Sequence, residues 1–275
     1  MQLTNTELAN LALLVSAAEQ AFMAGNYAPP QEVASQYTLL ETIYGDGNAM
    51  FGWVLTANNL VVTAIRGTER PIEWIQDAEF LLDNTPYGQV EHGFNLVATS
   101  LVVGNVPLTN YLAALQGELV IVCHSLGAAC GTIISAQIAE QRPVTLVALA
   151  SPKVGDAKLI SHISSLPNLT SYVISNIRDI VPMLPPGEVY TSMPNIILLD
   201  PTKLQELTPP RYLNDDAVSD HLVENYIGML DISVFDAYNL GYGYNPTLIS
   251  TKAPSGVAAD LGRVLTSAAR DITKL

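Results

Sequence analysis

The sequence predicts an α/β protein whose mostly parallel central sheet is covered by helices on both faces. Two observations support this fold class. Apolar runs that do not alternate with polar residues recur along the chain, and patterns of helical period separate them. The length of 275 residues, of which 49% are hydrophobic and 14% charged, suits one large core. We therefore expect a single domain over residues 1–275.

Six apolar runs are predicted to form strands, and six patterns are predicted to form helices. The strands are expected at residues 50–56, 60–65, 118–123, 144–150, 170–175 and 196–199. The helices are expected at residues 6–23, 94–103, 126–141, 156–165, 221–230 and 256–273. The segment 235–251, which is rich in Tyr, Gly and Asn, is interpreted as a long surface loop.

The charge of the chain limits its partners. The net charge is −14, whereas nucleic-acid binding needs Lys and Arg to displace counterions from phosphates. Tight docking on anionic membranes is unexpected for the same reason. No apolar run approaches the roughly 20 residues of a membrane span, so no transmembrane segment is expected. A neutral substrate or a lipid–water interface remains compatible with the composition.

The start of the chain and its cysteines bear on localisation. The first residues lack the basic region of a signal peptide and are predicted to begin a helix capped at Thr4 or Asn5. Cys123 and Cys130 are expected on a strand and on the next helix, so no disulfide between them is predicted. We expect either an intracellular protein or a mature exported form without its leader, and the sequence favours neither.

The stretch ELVIVCHSLG, residues 118–127, interrupts an apolar run with a polar step. In a parallel α/β sheet, a sharp turn from strand to helix lifts a serine above the carboxyl end of the sheet, and its neighbours must be small. Cys123, Gly127 and Ala128 meet this requirement around Ser125. The alternative is a serine that only caps the following helix.

A nucleophilic serine needs a base, and the base needs an acid that orients it. His221 follows a polar loop and enters a helix, which suits a base held over the sheet. The other candidates are His92, His124 and His162. Asp179 follows a predicted strand and precedes a rigid proline-rich loop, so it is the candidate acid; the alternative is a turn aspartate paired with Arg178.

Four separated regions resemble motifs of the class 3 lipase family, the fungal-lipase-like α/β-hydrolases. VVTAIRGTE resembles the strand that runs into Arg-Gly-Thr/Ser, and EHGF resembles a His-x-Gly-Phe element without its spacer residue. VIVCHSLGAA resembles the family's Gly-His-Ser-Leu-Gly elbow. ASPKVGD and RDIVPMLPP resemble a further pair of motifs that contains the acid. The resemblance spans roughly residues 50–227 and implies an α/β-hydrolase fold.

The resemblance implies roles for five residues of this chain. Ser125 is the implied nucleophile, Asp179 the orienting acid and His221 the base. The backbone N–H groups of Thr68 and Leu126 are the implied donors of an oxyanion hole. No organic cofactor is implied, and no metal site is expected.

Three residues depart from the family pattern. Cys123 replaces the first glycine of the elbow, Ser151 replaces the glycine before a proline, and Lys153 replaces an arginine. None of these changes removes a catalytic group. Cys123 is interpreted as a compact packing residue, and the alternative is a redox-sensitive thiol.

Residues 69–82 are a candidate lid. One apolar stripe of helical spacing contains Pro71, Trp74, Ile75, Ala78 and Leu82. The family carries a short amphipathic lid with a tryptophan in this region, and IEWIQD is similar to it. The resemblance therefore implies substrate or lid contacts for Ile72, Trp74 and Ile75. The alternative is an ordinary surface helix whose apolar face lies on the core.

The function implied by the resemblance is that of a serine hydrolase, a triacylglycerol lipase or carboxylesterase. It would cleave esters of acylglycerols or related lipids through an acyl-serine intermediate. An esterase for short-chain or aromatic (feruloyl-type) esters and a phospholipase A1 are alternatives in the same class. A non-catalytic lipid binder and an acyltransferase are alternatives outside it. The expected partner is a neutral lipid or ester, at a lipid–water interface or in solution.

Overall fold

A computed structural model describes residues 2–68, 80–201 and 219–236 of the chain. The predicted helix at 256–273, most of the candidate lid and most of segment 235–251 lie outside these residues.

The described strands and helices follow the chain in this order. The strands are β1 Thr38–Tyr44, β2 Met50–Ala57, β3 Leu60–Ile65, β4 Leu82–Thr85, β5 Gly88–Glu91, β6 Val102–Val103, β7 Val106–Pro107, β8 Glu118–His124, β9 Val144–Leu149, β10 Gly155–Asp156, β11 Leu169–Asn176, β12 Tyr190–Thr191 and β13 Ile197–Leu199. The α-helices are α1 Asn5–Met23, α2 Gln31–Ala34, α3 His92–Ser100, α4 Leu108–Ala114, α5 Leu126–Ala139, α6 Ala157–Ser165 and α7 Val223–Leu230. Short 3-10 turns lie at Asp46–Asn48, Val181–Met183 and Ser219–His221.

The main sheet has the strand order β13-β11-β9-β8-β3-β2-β1-β6-β7. The strands from β13 to β3 pair in parallel, and those from β3 to β7 pair antiparallel. The register pairs Ile65 with Cys123 and His124 with Leu149, so the carboxyl ends of β3, β8 and β9 lie side by side. Side chains that follow these ends share one edge of the sheet, which is where α/β sheets bind ligands.

Helices cover both faces of this sheet, because successive side chains of a strand point to opposite faces. On β8, Ile121 and Cys123 belong to the core cluster that includes buried side chains of α3, α4, α5 and α6. Val120 and Val122 belong to the opposite cluster, which α1 and α7 cover. The predicted α/β architecture, with a mostly parallel sheet between two helical layers, is confirmed.

Some elements differ from the sequence prediction. The helix expected at 94–103 begins at His92, where the Glu91 carboxylate accepts the Phe94 N–H at 2.7 Å, and it ends at Ser100 because Leu101 is extended. Strand β1 was not predicted from the sequence. Most of its side chains are exposed, so the strand has no buried apolar run.

Two residues near the boundaries of the described segments were assigned wrongly by their sequence patterns. Leu82, expected in the apolar stripe of the lid, begins β4 and pairs with Glu91 in a small sheet of order β12-β10-β5-β4. Phe235, expected in the surface loop, is buried on a helix over 232–236, with its ring beside Gly228. Both are corrections in which tertiary packing overrides local composition.

Candidate active site

Ser125 lies at the turn between β8 and α5, with φ 57° and ψ −126°. A positive φ is strained for a residue that has a side chain. Although Ser125 precedes the helix, its hydroxyl makes no capping hydrogen bond, so the capping alternative does not describe it. A Cβ on Gly127 would lie 2.3 Å from the Arg66 carbonyl oxygen, so the turn fits against the end of β3 only with glycine there.

The structure brings Ser125, His221 and Asp179 together. His221 Nε2 lies 2.8 Å from Ser125 Oγ, and His221 Nδ1 lies 2.7 Å from Asp179 Oδ2. All three residues are buried. A hydroxyl, an imidazole and a carboxylate in this sequence can transfer a proton from the hydroxyl to the ring while the carboxylate holds the ring in one orientation. The assignment of these roles stays a prediction.

Asp179 is held on both carboxylate oxygens. Oδ1 accepts the Val181 N–H at 2.9 Å, and Oδ2 accepts the Tyr226 hydroxyl at 2.7 Å in addition to His221. The same tyrosine hydroxyl accepts the Asn176 N–H at 3.0 Å. The side chain of Asp179 is 0% exposed. These contacts go beyond the alternative of a simple turn aspartate, because they fix the carboxylate toward the histidine.

The end of β3 lies directly against the serine turn. A Cβ on Gly67 would be 2.9 Å from Ser125 Cβ, so the chain enters Thr68 from a point in contact with the turn. Leu126 begins α5, and N–H groups in the first turn of a helix have no acceptor within the helix. Both positions are compatible with N–H donors beside Ser125. The donor roles of Thr68 and Leu126 stay a prediction.

The carbonyl of Gly67 accepts a hydrogen bond from the side chain of the preceding residue, Arg66. Arg66 donates from Nη1 to the Gly67 carbonyl at 2.5 Å and from Nε to the Met50 carbonyl at 2.7 Å. The guanidinium lies over the Phe22 ring of α1, with Cζ 3.5 Å from the ring centroid. This buried arginine therefore connects α1 to the peptide that precedes Thr68.

The remaining histidines lie outside the triad. His92 Nδ1 is 2.9 Å from Asp83 Oδ2 at a partly exposed position. His162 stacks on Tyr87 with ring centroids 3.8 Å apart. His124, which precedes Ser125, points behind the turn, where its Nε2 lies 2.8 Å from the His221 carbonyl oxygen.

Cys123 fits the packing interpretation. Its thiol is buried, and a Cβ on Gly131 of α5 would lie 2.6 Å from its Sγ, so the small residue on the helix makes room for the sulfur. Burial raises the pKa of the Cys123 thiol, and Cys130 adds to this shift. A protonated thiol without solvent access is unreactive.

The lid residues Ile72, Trp74 and Ile75 lie outside the described residues, so nothing is added to their assignment. Across residues 2–68, 80–201 and 219–236, no group of three His, Cys, Asp or Glu side chains is arranged to hold a metal ion. No helix within those same ranges is both long and apolar enough to cross a membrane.

Sequence reasoning missed three residues of this site. Tyr226 lies on the buried side of α7, and nothing in its local pattern separates it from a core residue. Glu19 lies in α1, more than a hundred residues before the turn that it contacts, and Asn176 ends β11. Only the tertiary contacts identify these side chains.

Known proteins resemble this chain in sequence and in fold. Residues 62–189 match the sequence profile of the family described as lipase (class 3). The chain is 29% identical over 186 residues to phospholipase A1-II 3 of Oryza sativa subsp. indica, which covers 54% of this chain and 44% of that protein. It is 34% identical over 143 residues to secreted mono- and diacylglycerol lipase A of Penicillium cyclopium, and this alignment covers 46% of this chain and 44% of that protein.

The fold superposes on that of the triacylglyceride lipase of Rhizomucor miehei with a TM-score of 0.60 and 18% identity, covering 70% of this chain and 79% of that one. With the strained serine turn at the carboxyl end of the sheet, this likeness defines an α/β-hydrolase fold. Within that class, residues 62–189 match the class 3 lipase family, the family that the motifs of the chain resemble. The chain spans less than half of the length of the two curated relatives, 44% in each case.

Proposed function

We propose that this protein is a serine hydrolase that cleaves carboxylic esters of lipids, with Ser125 as nucleophile, His221 as base and Asp179 as orienting acid. The observation that carries the proposal is the continuous hydrogen-bond path from the Ser125 hydroxyl through the His221 ring to the Asp179 carboxylate. Its position at a strained turn of an α/β-hydrolase fold supports a nucleophilic serine, because a structural serine gains nothing from that strain.

The reaction has two halves. As Ser125 Oγ bonds to the carbonyl carbon of the ester, its proton moves to His221 Nε2, and the negative charge on the carbonyl oxygen is met by the N–H groups of Thr68 and Leu126. The bond to the alcohol oxygen then breaks, and His221 returns the proton to the leaving alcohol. Water repeats the two steps on the acyl-serine, which releases the acid and restores the hydroxyl.

Two features support a lipid ester as substrate. The relatives matched in sequence are named as lipases and phospholipases. Exposed apolar side chains also flank the Asp179 loop: Ile177 is 52% exposed and Met183 is 64% exposed. The net charge of −14 favours a neutral lipid over an anionic surface. A lid within the predicted segment 69–82, without Leu82, which belongs to β4, is part of this proposal, with Ile72, Trp74 and Ile75 toward the acyl chain.

A phospholipase A1 activity is the second candidate, and the similarity to a rice phospholipase A1 favours it. Phosphatidylcholine that is labelled separately at its two acyl positions distinguishes the candidates. Release of the first acyl chain at a rate comparable to that of a diacylglycerol would favour the phospholipase. Hydrolysis of the acylglycerol alone would favour the lipase.

The test of the proposed function is labelling with a fluorophosphonate, combined with a p-nitrophenyl ester series from acetate to palmitate. We expect stoichiometric labelling and ester hydrolysis by the wild type, and neither by Ser125→Ala. Ser135→Ala is the matched control, because Ser135 is a buried serine of α5, the helix that follows Ser125, and lies outside the site. A wild-type protein that neither reacts with the probe nor hydrolyses any ester would contradict the proposal.

The rate should also depend on pH in a way that reports the base. A general base must be unprotonated to accept the Ser125 proton, so hydrolysis is expected to fall toward acid pH. A rate that stays constant from neutral pH to about pH 4 would argue against a histidine base.

A further inference from the structure

A second pair of a histidine and a carboxylate lies behind the triad. His124 Nδ1 is 3.0 Å from Glu19 Oε1, and the two side chains are 6% and 23% exposed. His124 Nε2 faces the His221 carbonyl oxygen at 2.8 Å, and because a carbonyl only accepts, Nε2 carries the proton. The pair thus reaches the backbone of the proposed base rather than its ring.

Glu19 also contacts the other side of the site. Its Oε1 accepts the Gly67 N–H at 3.2 Å, one residue before Thr68. Phe22, three residues further along α1, lies under the Arg66 guanidinium that holds the Gly67 carbonyl. Residues three apart lie on the same side of a helix. One side of α1 therefore contacts the Gly67 N–H directly through Glu19 and supports the Gly67 carbonyl indirectly through Arg66.

The contact of Glu19 with Gly67 and the contact of His124 with the His221 carbonyl both bear on groups that must be placed accurately beside Ser125. The Gly67 carbonyl and the Thr68 N–H belong to one planar peptide, so an anchor on the carbonyl also sets the direction of the N–H. The His221 carbonyl belongs to the residue whose ring must meet Ser125. Misplacement of reacting groups by about 1 Å can lower a rate by roughly a hundredfold.

We propose that Glu19 and His124 are positioning residues: Glu19 holds Gly67, the residue before Thr68, and His124 holds the backbone of His221, so that both stay in register with Ser125. This inference rests on the proposed function. It gives α1, which carries none of the proposed catalytic groups, a defined part in catalysis. It also gives the histidine of the elbow a task distinct from that of the base.

The charges around the pair agree with this arrangement. Burial lowers the pKa of His124, but the Glu19 carboxylate, the Asp179 charge and the hydrogen bond to the His221 carbonyl together raise it more, so the net shift is upward and the ring carries a positive charge over a wider range of pH. Burial raises the pKa of Glu19, but His124, the Gly67 N–H and His221 together lower it more, so the net shift is downward. Among the residues that the structure describes, the other ionisable groups that act on the pair are His221, Asp179 and Glu224.

The test compares Glu19→Gln with Glu224→Gln. Glu224 is a buried carboxylate at the same contact of α1 with α7, where it accepts the Ser16 hydroxyl at 2.7 Å, and it has no hydrogen bond to Gly67 or to His124 among the residues the structure describes. The same change of acid to amide therefore alters the interface without loosening the site. Rates of p-nitrophenyl butyrate hydrolysis are divided by the concentration of sites that react with the fluorophosphonate. The resulting kcat then refers to folded protein only.

We expect Glu19→Gln to lower kcat by about 10- to 100-fold with little change in KM, because the loss concerns the transition state. The affinity of a trifluoromethyl ketone, which forms a tetrahedral adduct with the serine, should fall by the same factor. Glu224→Gln should keep both values near those of the wild type. His124→Gln, which retains an N–H donor for the His221 carbonyl, should lose less kcat than His124→Leu.

The outcomes separate the two proposals. A labelled and active wild type with equal kcat in Glu19→Gln and Glu224→Gln would overturn the positioning role alone. Equal losses in the two His124 variants would overturn the part assigned to its hydrogen bond. A wild type that is neither labelled nor active would overturn the proposed function and this inference with it.

Discussion

The Tyr226 hydroxyl donates to the Asp179 Oδ2 oxygen at 2.7 Å, and the same oxygen receives the His221 Nδ1–H at 2.7 Å. The tyrosine in turn accepts the Asn176 N–H, so a chain of hydrogen bonds runs from the end of β11 through α7 to the carboxylate. Burial, followed by the Asp179 charge, raises the pKa of Tyr226 well above its usual range, so the hydroxyl remains a donor. The carboxylate is therefore restrained from two directions.

Removal of this hydroxyl tests the restraint. In Tyr226→Phe, the buried Asn176 N–H loses its acceptor and Asp179 loses a donor. We expect the free energy of unfolding to fall by about 1–3 kcal/mol and kcat to fall by about tenfold. Chemical denaturation and ester hydrolysis measure the two quantities. Tyr172→Phe is the matched control, because that hydroxyl accepts the distant Leu3 N–H at 2.8 Å; an equal loss of kcat in the control would refute the specific role.

The Glu19–His124 pair predicts a pH dependence of stability. The pKa of His124 is raised above 6.5 in the folded protein, so its contribution is complete below pH 6.5 and is lost as the pH rises through the folded value. The pKa of Glu19 is lowered below 4.5, so its contribution is complete above pH 4.5 and is lost as the pH falls through the folded value. Both contributions are complete between pH 4.5 and 6.5.

We therefore expect Glu19→Gln to destabilise the protein most between pH 4.5 and 6.5, by about 1.5–3 kcal/mol, and less as the pH rises above that window. Urea denaturation across the pH range measures the difference. Glu224→Gln should show the opposite trend: burial, and then the Glu19 charge, raise the pKa of Glu224, so the wild type loses stability as the pH rises above 4.5 and the amide does not. Parallel pH profiles for the two variants would contradict both assignments.

The contact of Cys123 with α5 predicts a coupling between two positions. A Cβ on Gly131 would lie 2.6 Å from Cys123 Sγ and 3.2 Å from its Cβ, so Gly131→Ala alone should cost about 1–3 kcal/mol of stability through overpacking. In a Cys123→Gly background, both contacts disappear, and the same substitution should cost at least about 1 kcal/mol less. A double-mutant cycle by denaturation measures the coupling energy, and additive effects would exclude the proposed contact.

The two thiols are expected to be inert in the folded protein. Cys123 and Cys130 are both buried, and burial raises the pKa of each far above neutral pH, so little thiolate forms. A thiol reagent such as DTNB should modify neither residue under native conditions and both after denaturation. Rapid native modification of Cys123 without loss of structure would revive the redox-sensitive interpretation.

The local patterns of the sequence were sufficient for much of the fold. Buried strands such as β3 and β8 are continuous apolar runs, so their type and position follow from composition alone. The serine turn is equally local, because its small neighbours and its strained backbone belong to one short segment. Strand β1, the two-residue strands and the small sheet were not predicted, since short or half-exposed strands carry no apolar run.

The sequence by itself indicated the class of fold, the resemblance to a family and the three residues proposed to react, because Ser125 and Asp179 lie within short motifs and His221 follows a polar loop that enters a helix. Only the tertiary structure decided what surrounds them. Glu19 meets His124 across 105 positions of the chain, and Tyr226 meets Asp179 across 47. Contacts of this kind depend on how helices pack against the sheet, and a side chain that acts through such a contact has the same local sequence as one that merely fills the core.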